Sequence, residues 1–293
     1  MKPLLSIIIP FFGEADPALL DRCLASIRTQ GLNEDYYEII IPQGDGRSAA
    51  SARNEGIERA QGHYLFFVDA DDYLFPNTLA TCMEQLITHQ PDMLSFEFEK
   101  RKPTESKPVV QPPFVTKHYT SGAAYMHNHN FLGTVWRYII SRRLVLTHRI
   151  SFLNRRHHED EFFTAVAYFY ALRVIHVNLK VYAYCLRPGS LQTSITNRAR
   201  MERLADFRYM LIGLKIVLRN SNLPHPIHAK ALERRISFLT IDFLYLLFRN
   251  RARKHTILRE VERLKLLEFL PLPTHAYTTK YIVAHQLINL VIR

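Results

Sequence analysis

Cysteine is scarce: Cys23, Cys82 and Cys185 are the three thiols of a 293-residue chain, and they lie far apart. They form neither a disulfide framework nor a zinc-ligand spacing, and they read as buried thiols of a reducing compartment. Long apolar runs are missing too. None reaches the roughly 18–20 residues that cross a bilayer. The longest candidate, Ile236 to Phe248, carries Asp242 and ends at Arg249. No charged segment with a cleavage site precedes the strand-like run Leu4 to Ile9, so no signal peptide is expected. These absences point to a cytoplasmic protein with at most a peripheral hold on the inner face of the cell membrane. Internal repeats and recognised nucleic-acid modules are also lacking, so no nucleic-acid partner is expected.

Apolar residues make up 47% of the chain, enough for a large core in one big domain or a domain with an appendage. The net charge of +11 is unevenly placed, because residues 201–293 hold 16 Lys+Arg against 7 Asp+Glu. The front of the chain is nearly balanced and the back is basic. That asymmetry suits an anionic partner such as a membrane surface, or simply a solvated helical face.

The first hundred residues alternate strand and helix. Strand patterns at Leu5–Pro10, Glu38–Ile41, Tyr64–Val68 and Met93–Phe98 are separated by helical patterns at Ala18–Gln30, Ser48–Ala60 and Asn77–His89. This predicts an α/β fold with a mostly parallel central sheet flanked by helices. A Lys- and Pro-rich excursion from Arg101 to Pro113 leads into a mixed middle. From about Arg198 the pattern turns helical, with Leu204, Phe207, Leu211, Leu214 and Leu218 at three- and four-residue steps. The expected division is a catalytic part over 1–197, with halves at about 1–100 and 114–197, and a helical extension over 198–293.

The most informative motif is Asp69-Ala70-Asp71-Asp72, directly after the apolar strand Tyr64–Val68. Acidic residues are depleted in strands, so they mark the strand's end, where α/β sheets open to their ligands. Three crowded carboxylates repel one another unless a cation or hydrogen-bond donors join them. Hard oxygen ligands suit Mg²⁺ or Mn²⁺. The simpler alternative is an acidic turn in which Asp72 caps the next helix.

Several motifs then coincide in order: Leu5–Pro10, Leu24–Gln30, Tyr37–Ile41, Ser51-Ala52-Arg53-Asn54-Glu55-Gly56-Ile57, Gly62–Tyr73, Val135-Trp136, Glu159–Phe163 and Arg187-Pro188-Gly189-Ser190. Together they resemble the family-2 glycosyltransferases of the GT-A fold, the bacterial type that builds capsular and lipopolysaccharide glycans. The resemblance covers residues 4–195. It implies an inverting enzyme that moves a sugar from a nucleotide-diphosphate donor, by family habit a UDP-sugar, to a glycan or lipid-linked acceptor.

The same resemblance assigns roles. Asp71 binds Mn²⁺ or Mg²⁺, and Asp69 assists it or bonds the ribose. Pro10, Phe11, Phe12, Asp45 and Ala70 lie by the nucleotide, and Arg53 reaches the diphosphate region unless it is a surface helix residue. Of the acidic pair Glu159-Asp160, the aspartate is the general base; the plain alternative is acids stabilising a helix start. Trp136, the sole tryptophan, stacks on the acceptor or fills the core. His158 sits on the acceptor side, and Arg187 and Ser190 close over the diphosphate. Apolar stretches beside Arg249, Arg251, Arg253 and Lys254 dock on an anionic membrane, or pack on the catalytic part or on another copy in a homo-oligomer.

Two departures from the family pattern stand out. Pro42-Gln43-Gly44-Asp45-Gly46-Arg47 replaces the usual paired aspartates, and Gly46 runs almost directly into Ser48, with no room for a further strand. They motivate the alternative of a non-catalytic relative that binds glycan or scaffolds an assembly.

Overall fold

A computed structural model describes residues 2–12, 16–46, 48–102, 107–186, 197–221, 225–249, 252–272 and 278–292. The front of the chain holds β1 (Leu5–Ile8), α1 (Pro17–Arg28), β2 (Tyr37–Ile40), α2 (Ala49–Arg59), β3 (Tyr64–Phe67), β4 (Tyr73–Leu74), α3 (Thr78–His89) and β5 (Met93–Arg101). The middle holds β6 (Thr116–Tyr119), α4 (Gly122–Asn128), β7 (Tyr138–Ser141), α5 (Arg142–Thr147), α6 (Glu159–Tyr170) and β8 (Val174–Cys185). The described residues after these hold four helices, α7 (Asn197–Asn220), α8 (Pro226–Arg249), α9 (Lys254–Leu266) and α10 (Thr279–Ile292).

Local chemistry sets these boundaries. Asp16 accepts from the Ala18 amide at 2.9 Å, and Pro17 opens α1. Ser48 caps α2 by accepting from the Ser51 amide. Among the described residues no strand intervenes between β2 and α2.

The strands form one sheet in the order β2-β1-β3-β7-β5-β8-β4, with β6 also on β8. The α/β class holds, but the sheet is mixed rather than mostly parallel: β1–β2, β1–β3 and β5–β8 pair parallel, and four pairings are antiparallel. Strands joined by the helical crossovers of the first hundred residues share one direction, as the alternation requires. The departure is β7, which slots antiparallel between β3 and β5. It comes from the mixed middle, whose pattern carried no directional signal.

Alternating side chains of the buried strands feed two cores. Leu5, Ile7, Phe66 and Val68 pack with α1 and α3 on one face, and Ile8, Leu65 and Phe67 pack on the other. The second core continues without a break into the C-terminal helices through Leu204, Phe207, Leu211 and Leu214 of α7 and Leu232, Phe243 and Leu247 of α8. Most of the apolar stretch after Asp242 is therefore core, although Tyr245 and Phe248 stay exposed.

Candidate active site

The chain beyond β1 and β3 opens onto a cleft of about 650 Å³. Pro10, Phe11 and Phe12 line one side, and Asp69, Ala70 and Asp71 line another. The α6 start contributes His158, Glu159 and Asp160, and Trp136 supplies an aromatic wall. Residues as far apart in sequence as Pro10 and Asp160 thus meet at one place. Asp45 does not reach the cleft lining. Its exposed loop is spent on its own fold, with the Asp45 carboxylate accepting from the Ser48 amide and its amide donating to Ser51 Oγ. Arg187 and Ser190 lie outside the described residues.

Arg53 is the centre of the site. It is 4% exposed, which rules out the surface-helix alternative. Its guanidinium donates to Asp69 Oδ1 at 2.8 Å, Asp160 Oδ1 at 2.6 Å and, more loosely, Glu159 Oε1 at 3.4 Å. One cation thus joins the carboxylate at the end of β3 to the acidic pair at the start of α6. Gly56 lets α2 come close enough to place it, because a Cβ there would stand 2.4 Å from Ile8 Cγ2. Asn54, the next residue, clamps the approach to α6 by donating to the Phe152 carbonyl and accepting from its amide, both at 2.9 Å. The sequence reading gave Asn54 no role.

Burial makes this cluster electrostatically tense. It pushes Asp160 up to about 6, with Arg53 pulling the other way. Burial, and then the charge of Asp160, push Glu159 further, to about 8. Arg53 separates the two because it lies nearer Asp160. Both carboxyls are thus pushed upward, and the shorter contact with Arg53 favours the ionised form of Asp160 over that of Glu159. Burial pushes the Arg53 guanidinium down, but Asp160, Asp69 and Glu159 outweigh it and hold the charge in place.

Asp72 behaves differently from its neighbours. The expected cap is not made: α3 starts at Thr78, after Asn77. Asp72 is instead buried, accepting from Tyr182 Oη at 2.8 Å and from the Cys185 amide at 2.7 Å. The Asp69 amide also donates to that Tyr182 hydroxyl, at 3.0 Å. Tyr182 arrives there because β4 pairs with β8, matching Leu74 to Tyr182. Arg22 of α1 holds the same turn through the Asp71 carbonyl. Asp72 is thus a brace, while Asp69 and Asp71 face the cleft.

Asp69, Asp71 and Asp72 can bring ligand oxygens within 4.8 Å of one another. Asp72 is buried and braced by two donors, whereas Asp69 and Asp71 line the cleft, so these two are the carboxylates placed to meet a hard divalent cation. Trp136 is a core aromatic, 5% exposed and stacked on Tyr182 and Tyr184 at 4.6 and 5.3 Å, and one edge of it lines the cleft. His158 has left-handed backbone, φ 65°, immediately before the acidic pair, with its ring against Phe207 at 4.2 Å. Positive φ is uncommon outside glycine and tends to persist where surroundings enforce it. Burial drives its imidazole down to about 3, so it is neutral.

Glu161, one position past the pair, also lines the cleft, but its carboxylate is tied to α8. It takes three hydrogen bonds at 2.7–2.8 Å from Arg235 of α8, whose guanidinium also lies over Phe131 and Phe238. Gly133 packs so tightly here that a Cβ would stand 2.0 Å from Glu161 Oε2. An arginine inside an apolar helical run was the available signal for this contact.

Comparison with known proteins bears on this geometry. Residues 40–148 match the family profile of Glycosyl transferase family 2. The uncharacterized glycosyltransferase EpsJ of Bacillus subtilis is 30% identical over 238 residues, which cover 71% of this chain and 68% of EpsJ. The putative glycosyltransferase EpsH of the same organism is 28% identical over 169 residues, covering 54% of this chain and 47% of EpsH. Among solved structures, S. aureus TarS 1–349 in complex with UDP-GlcNAc superposes with a TM-score of 0.64 at 16% identity, over 91% of this chain and 80% of that one. The mannosyltransferase PcManGT of Pyrobaculum calidifontis, in complex with GDP-Man and Mn²⁺, gives 0.51 at 17% identity, over 99% and 88%. The structural likenesses speak to fold alone.

Proposed function

The chain belongs to glycosyl transferase family 2, and from that premise we propose an inverting, metal-assisted transfer from a UDP-sugar to a glycan or lipid-linked acceptor in cell-surface polysaccharide synthesis. The observation that carries this reading is Arg53, which draws Asp69 and Asp160 to one guanidinium at the cleft floor. A donor-side carboxylate and an acceptor-side carboxylate thereby flank the same space. That TarS is described with UDP-GlcNAc, and PcManGT with GDP-Man and Mn²⁺, supports the donor class and the metal.

In this scheme Asp71 and Asp69 hold Mn²⁺ or Mg²⁺, which when bound acts as a Lewis acid on the leaving diphosphate. Pro10, Phe11, Phe12 and Ala70 bound the nucleotide. Asp160, ionised and oriented by Arg53, takes the proton of the acceptor hydroxyl as it attacks the anomeric carbon. Attack from the face opposite the leaving group inverts that carbon. Glu159 keeps its proton and limits repulsion within the pair. Residues 1–197 form the catalytic part, and 198–293 buttress α6. The non-catalytic alternative has less support, because the acids needed for chemistry surround one cleft.

A thermal-shift screen of UDP-, GDP-, CDP- and dTDP-sugars with and without Mn²⁺ tests the donor. Saturation at about 100 times Kd adds about 2.7 kcal/mol to the native state, so the matching nucleotide will raise Tm by several degrees. Asp71→Asn will remove the Mn²⁺-dependent part of that rise and leave the ligand-free melt close to wild type. An unchanged Mn²⁺ response in the variant would displace Asp71 from metal binding.

Peripheral membrane contact is part of the proposal. No described helix is long and apolar enough to cross a membrane. Tyr245 and Phe248 are exposed near Arg249, Arg253 and Lys254, and Val283, Leu287 and Leu290 are exposed on α10. Each basic residue close to an anionic surface adds about 1 kcal/mol. Sedimentation with anionic vesicles is expected, weakening with salt; equal behaviour with neutral vesicles would leave protein packing, on this chain or a second copy, as the role of these faces.

A further inference from the structure

The cleft is bipolar. Its floor carries the acids, while the wall just before them carries Arg156, His157 and His158, joined by Arg203 from α7. No carboxylate among the described residues forms an ion pair with Arg156 or Arg203. Arg203 is half-buried, and its Nε is enclosed without a hydrogen-bond partner. Burial and the like charge of Arg249 both push its guanidinium down, where a paired acid would push it up. Asp206 and Glu202, on the same helix, act on His157 instead. Nε2 of His158 is likewise enclosed and unpartnered. A desolvated cation left without an anion is costly, so such a group points to a charge that arrives with a ligand.

The placement says which ligand. Arg156 and His157 stand in the segment that leads through His158 into Glu159-Asp160, so they belong to the α6 wall of the cleft, which carries the base. The acids Asp160, Asp69 and Asp71 leave no anionic requirement on their own side. We propose that Arg156 and Arg203 form an anion site on the acceptor side of the cleft, taking a phosphate group that the acceptor carries within reach of its attacking hydroxyl. This deepens, and rests on, the transferase reading above. Two guanidinium forks match the several oxygens of a phosphate better than the two of a carboxylate. Neutral His158 adds a hydrogen bond without adding charge.

Calorimetric titration of the whole chain with glycerol 1-phosphate, glycerate and glycerol, at constant ionic strength and with saturating UDP and Mn²⁺, tests this. UDP–Mn²⁺ binding is followed in the same samples by thermal shift, so failure of the donor reading is recorded separately. Wild type will bind glycerol 1-phosphate more tightly than glycerate, and glycerol not at all. Arg156→Gln with Arg203→Gln will weaken the phosphate by about tenfold or more, the loss of charge-assisted hydrogen bonds. Arg156→Gln alone, at an exposed position, will move in the same direction and guards against a folding defect in the double variant. Decyl phosphate below its micelle concentration separates sources: tighter binding than glycerol 1-phosphate marks a lipid-linked phosphate, and equal binding a soluble or polymeric one. Three results would overturn the site: displacement of glycerol 1-phosphate by UDP–Mn²⁺, which would make the arginines a donor clamp; equal affinity in wild type and both variants; or glycerate binding as well as phosphate.

Discussion

Asp160→Asn will lower turnover by about 10²–10⁴, the usual range for loss of a positioned general base. The change removes one negative charge and little volume. Arg53 keeps Asp69 and Glu159 as partners. Without the charge of Asp160 beside it, Glu159 ionises more readily and restores the balance around the guanidinium. The fold and donor binding should therefore survive, and the thermal shift with nucleotide and Mn²⁺ should resemble wild type. The pH profile gives the second readout. Burial raises Asp160 to about 6, and a base works only when ionised, so wild-type kcat/KM will rise with pH through about 6 and level off above it. The variant will lack that acid limb. If Glu159→Gln proves the crippling change and Asp160→Asn the mild one, the roles within the pair are reversed.

Arg235→Met will destabilise the protein by about 3–5 kcal/mol, as expected for stripping the partner from a buried ion pair. Arg235 is 2% exposed and gives Glu161 three hydrogen bonds. Truncation leaves the Glu161 carboxylate in the interior, one residue from Asp160. For a chain of this size each kcal/mol is worth about 2–4 °C, so Tm will fall by about 6–20 °C. The double variant Arg235→Met, Glu161→Leu should recover much of this loss, because apolar groups of similar volume often replace a buried pair at no net cost. A single variant that melts within a degree of wild type would mean that α8 is held to α6 by apolar packing alone.

The alternative functions divide on the same experiments. A scaffold that merely binds glycan would lose nothing in turnover at Asp160 and would show no Mn²⁺ increment at Asp71. The exposed Gln43-Gly44-Asp45 loop cannot decide between them, because its polar groups are used within the loop and by Ser51 and Glu55.

Much of this protein was legible in its sequence. Apolar runs of four to six residues and helical spacings set β1, α1, β2, α2, β3, α3 and β5, because strand and helix periodicities are local and bury opposite faces. Asp69 and Asp71 stood out because carboxylates do not belong at the end of an apolar strand without a task. Only the tertiary structure decided which charges meet. Asp72 reads as a helix cap until β8 brings Tyr182 and the Cys185 amide to it. Arg53 reads as a residue of the diphosphate region, but its bond to Asp160 at 2.6 Å exists only once α6 packs against it. Glu161 and Arg235, 74 residues apart, have no local pattern that joins them. The pairing of β7 between β3 and β5 was equally hidden. The physical reason is the same in each case: periodicity reports which face of an element is buried, but a buried charge is settled by whatever partner the long-range packing delivers.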